Sequence, residues 1–227
     1  MFTHFKNDSI RKLVIAFGSI FNGVQLEQTD ENNNERIFTV PISYGPKEKF
    51  VKRLTEPSSI SDKTRIEISL PRMSFELSQL AYDPLRKMNK MNKKTSGMGS
   101  NGNISSAYSE VPYNFVFNVS VYTRNLEENY QIMEQILPYF SPEFIVSLKM
   151  NTLNSSVDVP IAITNTTLTQ EYEGDFSTRR FIVSSYQFVA KSYIYGKINT
   201  GTAVQSINFN LYDINGITLM SQLGITG

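Results

Sequence analysis

The side chains that most often carry chemistry are scarce in this chain of 227 residues: His4 is its single histidine, and it has no cysteine. Without a second imidazole or any thiolate, the ordinary metal clusters and the Ser–His and Cys–His nucleophile pairs are excluded. Carboxylates remain. Glu127, Glu128 and Glu134 form one group and Glu171, Glu173 and Asp175 another, and two carboxylates facing one cleft are what glycoside hydrolysis needs. The first group fits better a solvated helix face near the positive end of a helix dipole, and the second a hairpin tip. The glycines of GMGSNG at 97–102 lack the Lys-Ser/Thr and the strand-to-helix setting of a phosphate loop, so they read as a flexible loop. The charge cluster is basic: Arg86, Lys87, Lys90, Lys93 and Lys94 place five positive side chains in nine residues with no acid among them. It reads as a solvated loop, as a dock for an acidic protein, or as a contact for DNA passing nearby. Met88 and Met91 stand where stacking on single strands would need aromatics.

The elements around these groups are richer than the chemistry. A hydrophobic content of 40%, with 12% aromatics, suffices for a sizeable core. With 22 basic and 21 acidic residues the net charge is +1, so any role on nucleic acid must be local. The absence of cysteine agrees with a reducing cytoplasm. The most specific pattern runs through 112–142. Odd positions Val111, Tyr113, Phe115, Phe117, Val119 and Val121 are apolar or aromatic, while Asn114, Asn118 and Ser120 fall between them, the period of a half-buried strand. Asn125, with Glu128 three residues on, resembles a capping box. Leu126, Tyr130, Met133, Ile136 and Leu137 are expected on one inward helical face, and Pro138 stops the helix.

Near the N-terminus, Lys6, Arg11 and Lys12 precede an apolar run that could mimic a signal peptide, but Asp8 interrupts the basic segment and no small-x-small cleavage pattern follows. Ile10, Leu13, Val14, Phe17 and Phe21 line one stripe, which predicts a helix stopped by a left-handed turn at Asn22-Gly23. A strand follows at 36–44 with Phe38, Val40, Ile42 and Tyr44 inward, then a helix from Pro46 to about Leu54. The apolar parity flips at Pro71, from Ile66, Ile68 and Leu70 to Met73, Phe75 and Leu77, which predicts a bulge or kink there, with Pro71 at an edge or unpaired position. Residues 83–110 lack periodicity and read as a long flexible loop. Strands are expected at 144–150, 157–167 and 180–195, the last two a hairpin, with a final strand at 205–212 and a weakly ordered tail at 214–227. The fold class is α+β. One domain over 1–213 is built on a mostly antiparallel or mixed sheet with two or three helices packed on it.

Four segments carry a resemblance: VPISYGPKEKF at 40–50, LPRMSFELSQLAYDP at 70–84, VYTRNLEENYQIMEQILPYFSPEF at 121–144 and, more weakly, STRRFIVSSYQF at 177–188. With them the chain resembles the tail sheath stabiliser and completion proteins, the tail-terminator class of contractile-tailed bacteriophages. The resemblance implies a hexameric ring at the head-proximal end of the tail that caps the sheath and tube and presents the surface for the head's neck. The implied partners are further copies of the chain, the tail sheath protein, the tail tube or tube terminator protein and the neck proteins, with DNA near the ring channel and no membrane. No cofactor and no enzymatic activity are implied, and the location is the virion tail, assembled in the host bacterial cytoplasm. The basic stretch at 86–106 departs from the family pattern.

Tyr122, Arg124 and Tyr139 fall off the inward pattern and are expected at a heterologous contact that closes a ring, aromatics and arginine being what interface centres favour. The plainer account packs the tyrosines locally and pairs Arg124 with a carboxylate. A tube terminator or head-to-tail joining protein is the neighbouring alternative, and a carboxylate-dependent carbohydrate-active enzyme the distant one.

Overall fold

The structure, a computed structural model, describes residues 4–29, 35–55, 70–96, 103–150, 153, 156–171, 181–202, 211–212 and 218–220. Helix α1 (Ser9–Ile20) ends in a 3-10 turn (Phe21–Gly23) and leads into strands β1 (Gln25–Thr29), β2 (Glu35–Thr39) and β3 (Ile42–Tyr44). Helix α2 (Lys47–Thr55) and β4 (Arg72–Tyr82) follow, then a 3-10 turn (Pro84–Arg86), β5 (Lys93–Thr95) and β6 (Asn103–Tyr108). The long β7 (Val111–Thr123) feeds α3 (Leu126–Ile136), a 3-10 turn (Leu137–Phe140), β8 (Phe144–Leu148), β9 (Val157–Glu171) and β10 (Phe181–Ile194). Short strands β11 (Asn199–Thr202), β12 (Leu211–Tyr212) and β13 (Thr218–Met220) complete the described chain. The fold is α+β, as expected. Its residues divide into two compact units, Asn7–Lys87 with Val111–Ile194, and Met1–Lys6 with Met88–Glu110 and Tyr195–Gly227.

The larger unit is built on a six-stranded mixed sheet in the order β3-β4-β7-β10-β9-β8. Only β3 and β4 run parallel; β4–β7, β7–β10, β10–β9 and β9–β8 are antiparallel. The alternation of β7 places Phe115, Phe117, Val119 and Val121 in the core, and Phe188 and Ala190 of β10 lie opposite Phe117 and Phe115. Phe17 of α1 lies flat on Phe117, ring centroids 4.1 Å apart, and meets Phe21, Phe75 and Phe188 between 5.3 and 5.8 Å. Offset and edge-on rings of this kind contribute beyond the area they bury. Gly18 is a requirement of this packing: a Cβ there would stand 2.5 Å from the Phe75 ring. The opposite face is covered by α2, whose Phe50 packs with Tyr122, Phe181 and Val183.

Helix α3 buries a different face from the one its apolar residues predict. Glu128, Asn129, Ile132 and Ile136 are inward, while Tyr130 and Leu137 are exposed. The two polar residues have partners that make burial affordable. Ser184 Oγ donates to Asn129 Oδ1 at 2.6 Å and Asn129 Nδ2 donates to Thr123 Oγ1 at 3.4 Å. Gln28 Nε2 donates to Glu128 Oε1 at 2.7 Å, and the Arg124 N–H donates to Glu128 Oε2 at 3.1 Å. The capping box is therefore modified: Glu128 reaches back one residue further than expected, and Asn125 makes no side-chain cap.

One turn further along, α3 closes the outer edge of β1 with glutamines. Gln135 accepts from the Gln25 N–H at 3.0 Å and donates to the Gln25 C=O at 2.6 Å. Gln131 does the same to Glu27, at 3.2 and 3.3 Å. A primary carboxamide carries the same donor and acceptor as a peptide unit. Four helical residues rise about 6.0 Å and two strand residues about 6.8 Å, so side chains at i and i+4 can serve peptide units at j and j+2.

Other sequence expectations change in detail. Strand 36–44 is split at Val40-Pro41 into β2, paired with β1, and β3, paired with β4; Val40 is buried but Tyr44 is exposed. Pro71 lies in a bend just before β4 and outside its pairing with β7, as expected; a register shift of β4 falls further on, between Leu77 and Gln79, and beyond it Leu80 and Tyr82 are exposed. Residues 56–69, with Ile66 and Ile68, lie outside the described residues. Helix α1 stops in its 3-10 turn, and the left-handed residue is instead Asp8 at the start, with φ 54°.

In the smaller unit, the segment read as a flexible loop contributes β5 and β6 to a three-stranded sheet in the order β11-β6-β5. Its strands are short and mostly polar, and β6 pairs with a strand far along the chain (Asn199↔Ser106), so periodicity gave no local signal. The region read as a weak tail contains β13, paired with β12. Residues 97–102 and 203–210 lie outside the described residues.

Candidate partner surface

The residues singled out from the sequence fall into three environments. Tyr122 is a correction. It is 1% exposed, its hydroxyl donates to the Lys47 C=O at 3.3 Å and shares a hydrogen bond with Ser74 Oγ at 3.2 Å, and burial pushes its phenol above the ordinary value. It faces away from the Phe117 core, as the pattern said, but α2 covers that face. Its role within the chain is packing.

Arg86 is held inside the larger unit. It bonds Asp83 Oδ2 at 2.8 Å, Asn114 Oδ1 at 2.9 Å and the Tyr113 C=O at 3.2 Å, and stands 5.2 Å from the Tyr193 ring centroid. Its hydrogen bond holds the Asp83 carboxyl below its ordinary value. Asp83 also accepts from the Leu85 N–H at 3.0 Å, capping the 3-10 turn. Lys87, in the same unit, is exposed. In the smaller unit Lys90 is exposed, Lys93 lies 5.0 Å over the Tyr108 ring, and Lys94 is paired with the buried carboxylate of Glu110. The basic run is thus an ordered set of partly committed charges, with Lys87 and Lys90 its open members.

Arg124 and Tyr139 lie on the surface. Arg124 is exposed at the turn from β7 into α3. Tyr139 is 69% exposed in the 3-10 turn after α3. Tyr130 and Leu137 are exposed on α3 and in the same turn, a pair that sequence reasoning assigned to the core. The signal that could have found them is the pairing of Glu128 and Asn129, whose side chains take the inward positions. Beside Tyr139 opens a groove of about 340 Å³ lined by Ile20, Val24, Ile136, Phe140 and Phe144 among others.

Of the carboxylate clusters, Glu127 and Glu128 line one polar cleft together with Glu27, Gln28, Asn125 and Gln131, while Glu134 is not among its lining residues. Glu128 is committed to Gln28 and to the Arg124 N–H, while Glu127 and Glu134 are exposed. Glu173 and Asp175 lie outside the described residues, as does the side chain of Glu171. No group of three His, Asp or Glu side chains is placed to hold a metal ion among the described residues, and no described helix is long and apolar enough to cross a membrane.

Exposed tyrosines, an exposed arginine and an apolar groove on a mixed sheet are the features of contact surfaces, as an assembly protein carries them. Residues 4–220 match the family described as T4-like virus Myoviridae tail sheath stabiliser, and the chain belongs to that family, a family of structural proteins of the phage tail. It is similar to the tail completion protein gp15 of Enterobacteria phage T4, 29% identical over 205 residues that cover 88% of this chain and 75% of that one.

Proposed function

We propose that the chain forms a ring, a hexamer, at the head-proximal end of a contractile tail, where it ends and stabilises the sheath and tube and offers the surface to which the head's neck attaches. The observation that carries this reading is the family match, which runs over residues 4–220, nearly the whole chain. The surface chemistry supports it. Arg124, Tyr130 and Tyr139 supply aromatic and guanidinium contacts of the kind that anchor interfaces, and a heterologous contact between identical copies closes into a ring. The partners in this reading are further copies, the tail sheath protein, the tail tube or tube terminator protein and the neck proteins. Lys87, Lys90 and Lys93 serve as peripheral charges toward an acidic partner or DNA in the channel. The site is the virion tail, assembled in the host cytoplasm, and the role is architectural rather than enzymatic.

Negative-stain imaging and sedimentation of the purified chain test the reading together: six-fold rings that bind sheath or tube ends are expected. A monomer that never associates with tails would overturn it. Arg124→Ala that assembles as well as the unaltered chain would remove that residue from the contact.

A further inference from the structure

Sheet edges expose unpaired peptide groups, and proteins blunt them with charges, proline, brevity or a cover. The other terminal strands among the described residues have such a device, and the stretches of β4 and β9 that run past β3 and β8 are each interrupted by a register shift. β1 is closed by Gln131 and Gln135. β2 carries Glu35 and Arg36, and β3 is three residues long and follows Pro41. β5 carries Lys93 and Lys94, β11 is four polar or glycine residues, and β12 and β13 are shorter still.

β8 is the exception. It is the outermost strand of the six-stranded sheet, its sequence FIVSL has neither charge nor proline, and Ile145 is 57% exposed. Its one polar side chain, Ser147, is turned back onto Asp158 of β9. The pairing shows which peptide groups are open. Pro160, which has no N–H, lies opposite Ile145, so Phe144, Val146 and Leu148 exchange the hydrogen bonds with β9. The N–H and C=O groups of Ile145 and Ser147 then point outward. The strand begins at Phe144, which also lines the apolar groove beside Tyr139, so an open backbone edge and an apolar pocket are continuous.

We propose that the β8 edge takes up an extended apolar segment of a partner protein as a seventh strand, with one large apolar side chain seated in the groove beside Tyr139. Backbone pairing of this kind supplies affinity and the pocket supplies selectivity. The size of the site argues for a segment rather than a second copy. A five-residue edge and a groove of about 340 Å³ offer a small part of the about 1,200–2,000 Å² that a stable protein pair buries. Exposed Glu143 and Lys149 flank the strand, so a segment with a basic residue at one end and an acidic one at the other is held in one direction.

The inference rests on the tail reading in taking the tail as the place where the segment resides. Hydrogen exchange of the β8 amides, read by mass spectrometry, tests it in the dilute purified chain, the purified chain concentrated into its own oligomer, and isolated tails. Slowing of the Ile145 and Ser147 amides by tenfold or more in tails alone is the expected result. Fast exchange in tails that contain the chain overturns the proposal by itself, and protection in the purified oligomer overturns it in favour of a second copy. Absence of the chain from tails overturns the tail reading and the proposal with it. As a second measurement, Ile145→Lys should fold normally and lose at least tenfold in co-sedimentation with tails, while Ile145→Thr retains it; equal binding by both is a refutation.

Discussion

Replacing Gln131 and Gln135 together by methionine should unfasten β1 from α3 while leaving the helix intact. Methionine has nearly the same length and helix propensity as glutamine, within about 0.3 kcal/mol, so the change isolates the hydrogen bonds. Five are lost, two from each glutamine to Gln25 and Glu27 and a fifth from Gln135 Nε2 to the Gln131 C=O. The four to β1 are exposed, where water can take over, and the fifth is part-buried on the helix surface, which sets each near the low end of the net range, about 0.5 kcal/mol. The double variant should therefore lose about 2.5 kcal/mol, Gln131→Met about 1 kcal/mol and Gln135→Met about 1.5 kcal/mol. With no tryptophan in the chain, far-UV circular dichroism in a urea series is the practical global readout. Hydrogen exchange gives the local one: the Gln25 and Glu27 amides should lose protection while the β7 amides keep theirs. A double variant as stable as the unaltered chain, with Gln25 and Glu27 still slow, would show that the glutamines do not hold this edge.

Gly18→Ala should destabilise the larger unit by about 1–3 kcal/mol, the usual cost of overpacking, because the new Cβ would meet the Phe75 ring at 2.5 Å; thermal melting reads it, and an unchanged midpoint refutes it. Asn129→Ala should cost about 1–3 kcal/mol by leaving the buried Ser184 hydroxyl without its acceptor, and Asn129→Ala with Ser184→Ala together should cost less than the sum of the two singles in a double-mutant cycle. Tyr122→Phe should lower stability by about 1 kcal/mol without altering assembly, whereas Tyr139→Ala should weaken assembly without altering stability; sedimentation beside urea melts separates the two. Burial pushes the Tyr186 phenol up to about 12, so the folded state favours the neutral form. Its contribution is full below the ordinary phenol value of about 10 and is lost as pH rises from there through about 12. Phenolate absorbance should show Tyr186 titrating late, alongside the raised phenol of Tyr122, and a titration complete near pH 10 in the folded chain would contradict it.

The physical limits of sequence reading show in particular elements. β7, β10 and α1 were legible because their partners lie beneath one continuous face: alternation in β7 and the 3.6-residue stripe of α1 are written in side-chain type alone. Hydrophobicity misread α3, because Glu128 and Asn129 are acceptable inward only when Gln28, Thr123 and Ser184 arrive from distant strands. That rotation moved Tyr130 and Leu137 outward. Tyr122 went the other way. Its alternation phase was read correctly, yet whether that face meets solvent or a helix depends on where α2 folds back. The basic run looked like a solvated loop because nothing local to it repeats, while its order comes from Tyr113, Asn114 and Tyr193 around Arg86 and from β11 beside β6.

The chain's own order of residues determined its family, its α+β class, the aromatic core around Phe17 and Phe117 and its poverty in catalytic groups, since each of these is a property of local spacing or composition. Among the described residues, tertiary structure alone decided which surfaces are open: the outward face of α3, the groove at Tyr139 and the unblunted edge of β8. Exposure is set by what packs over a residue, and the covering groups here come from elements tens of residues away, as Gln131 and Gln135 do in closing β1 while β8 is left bare.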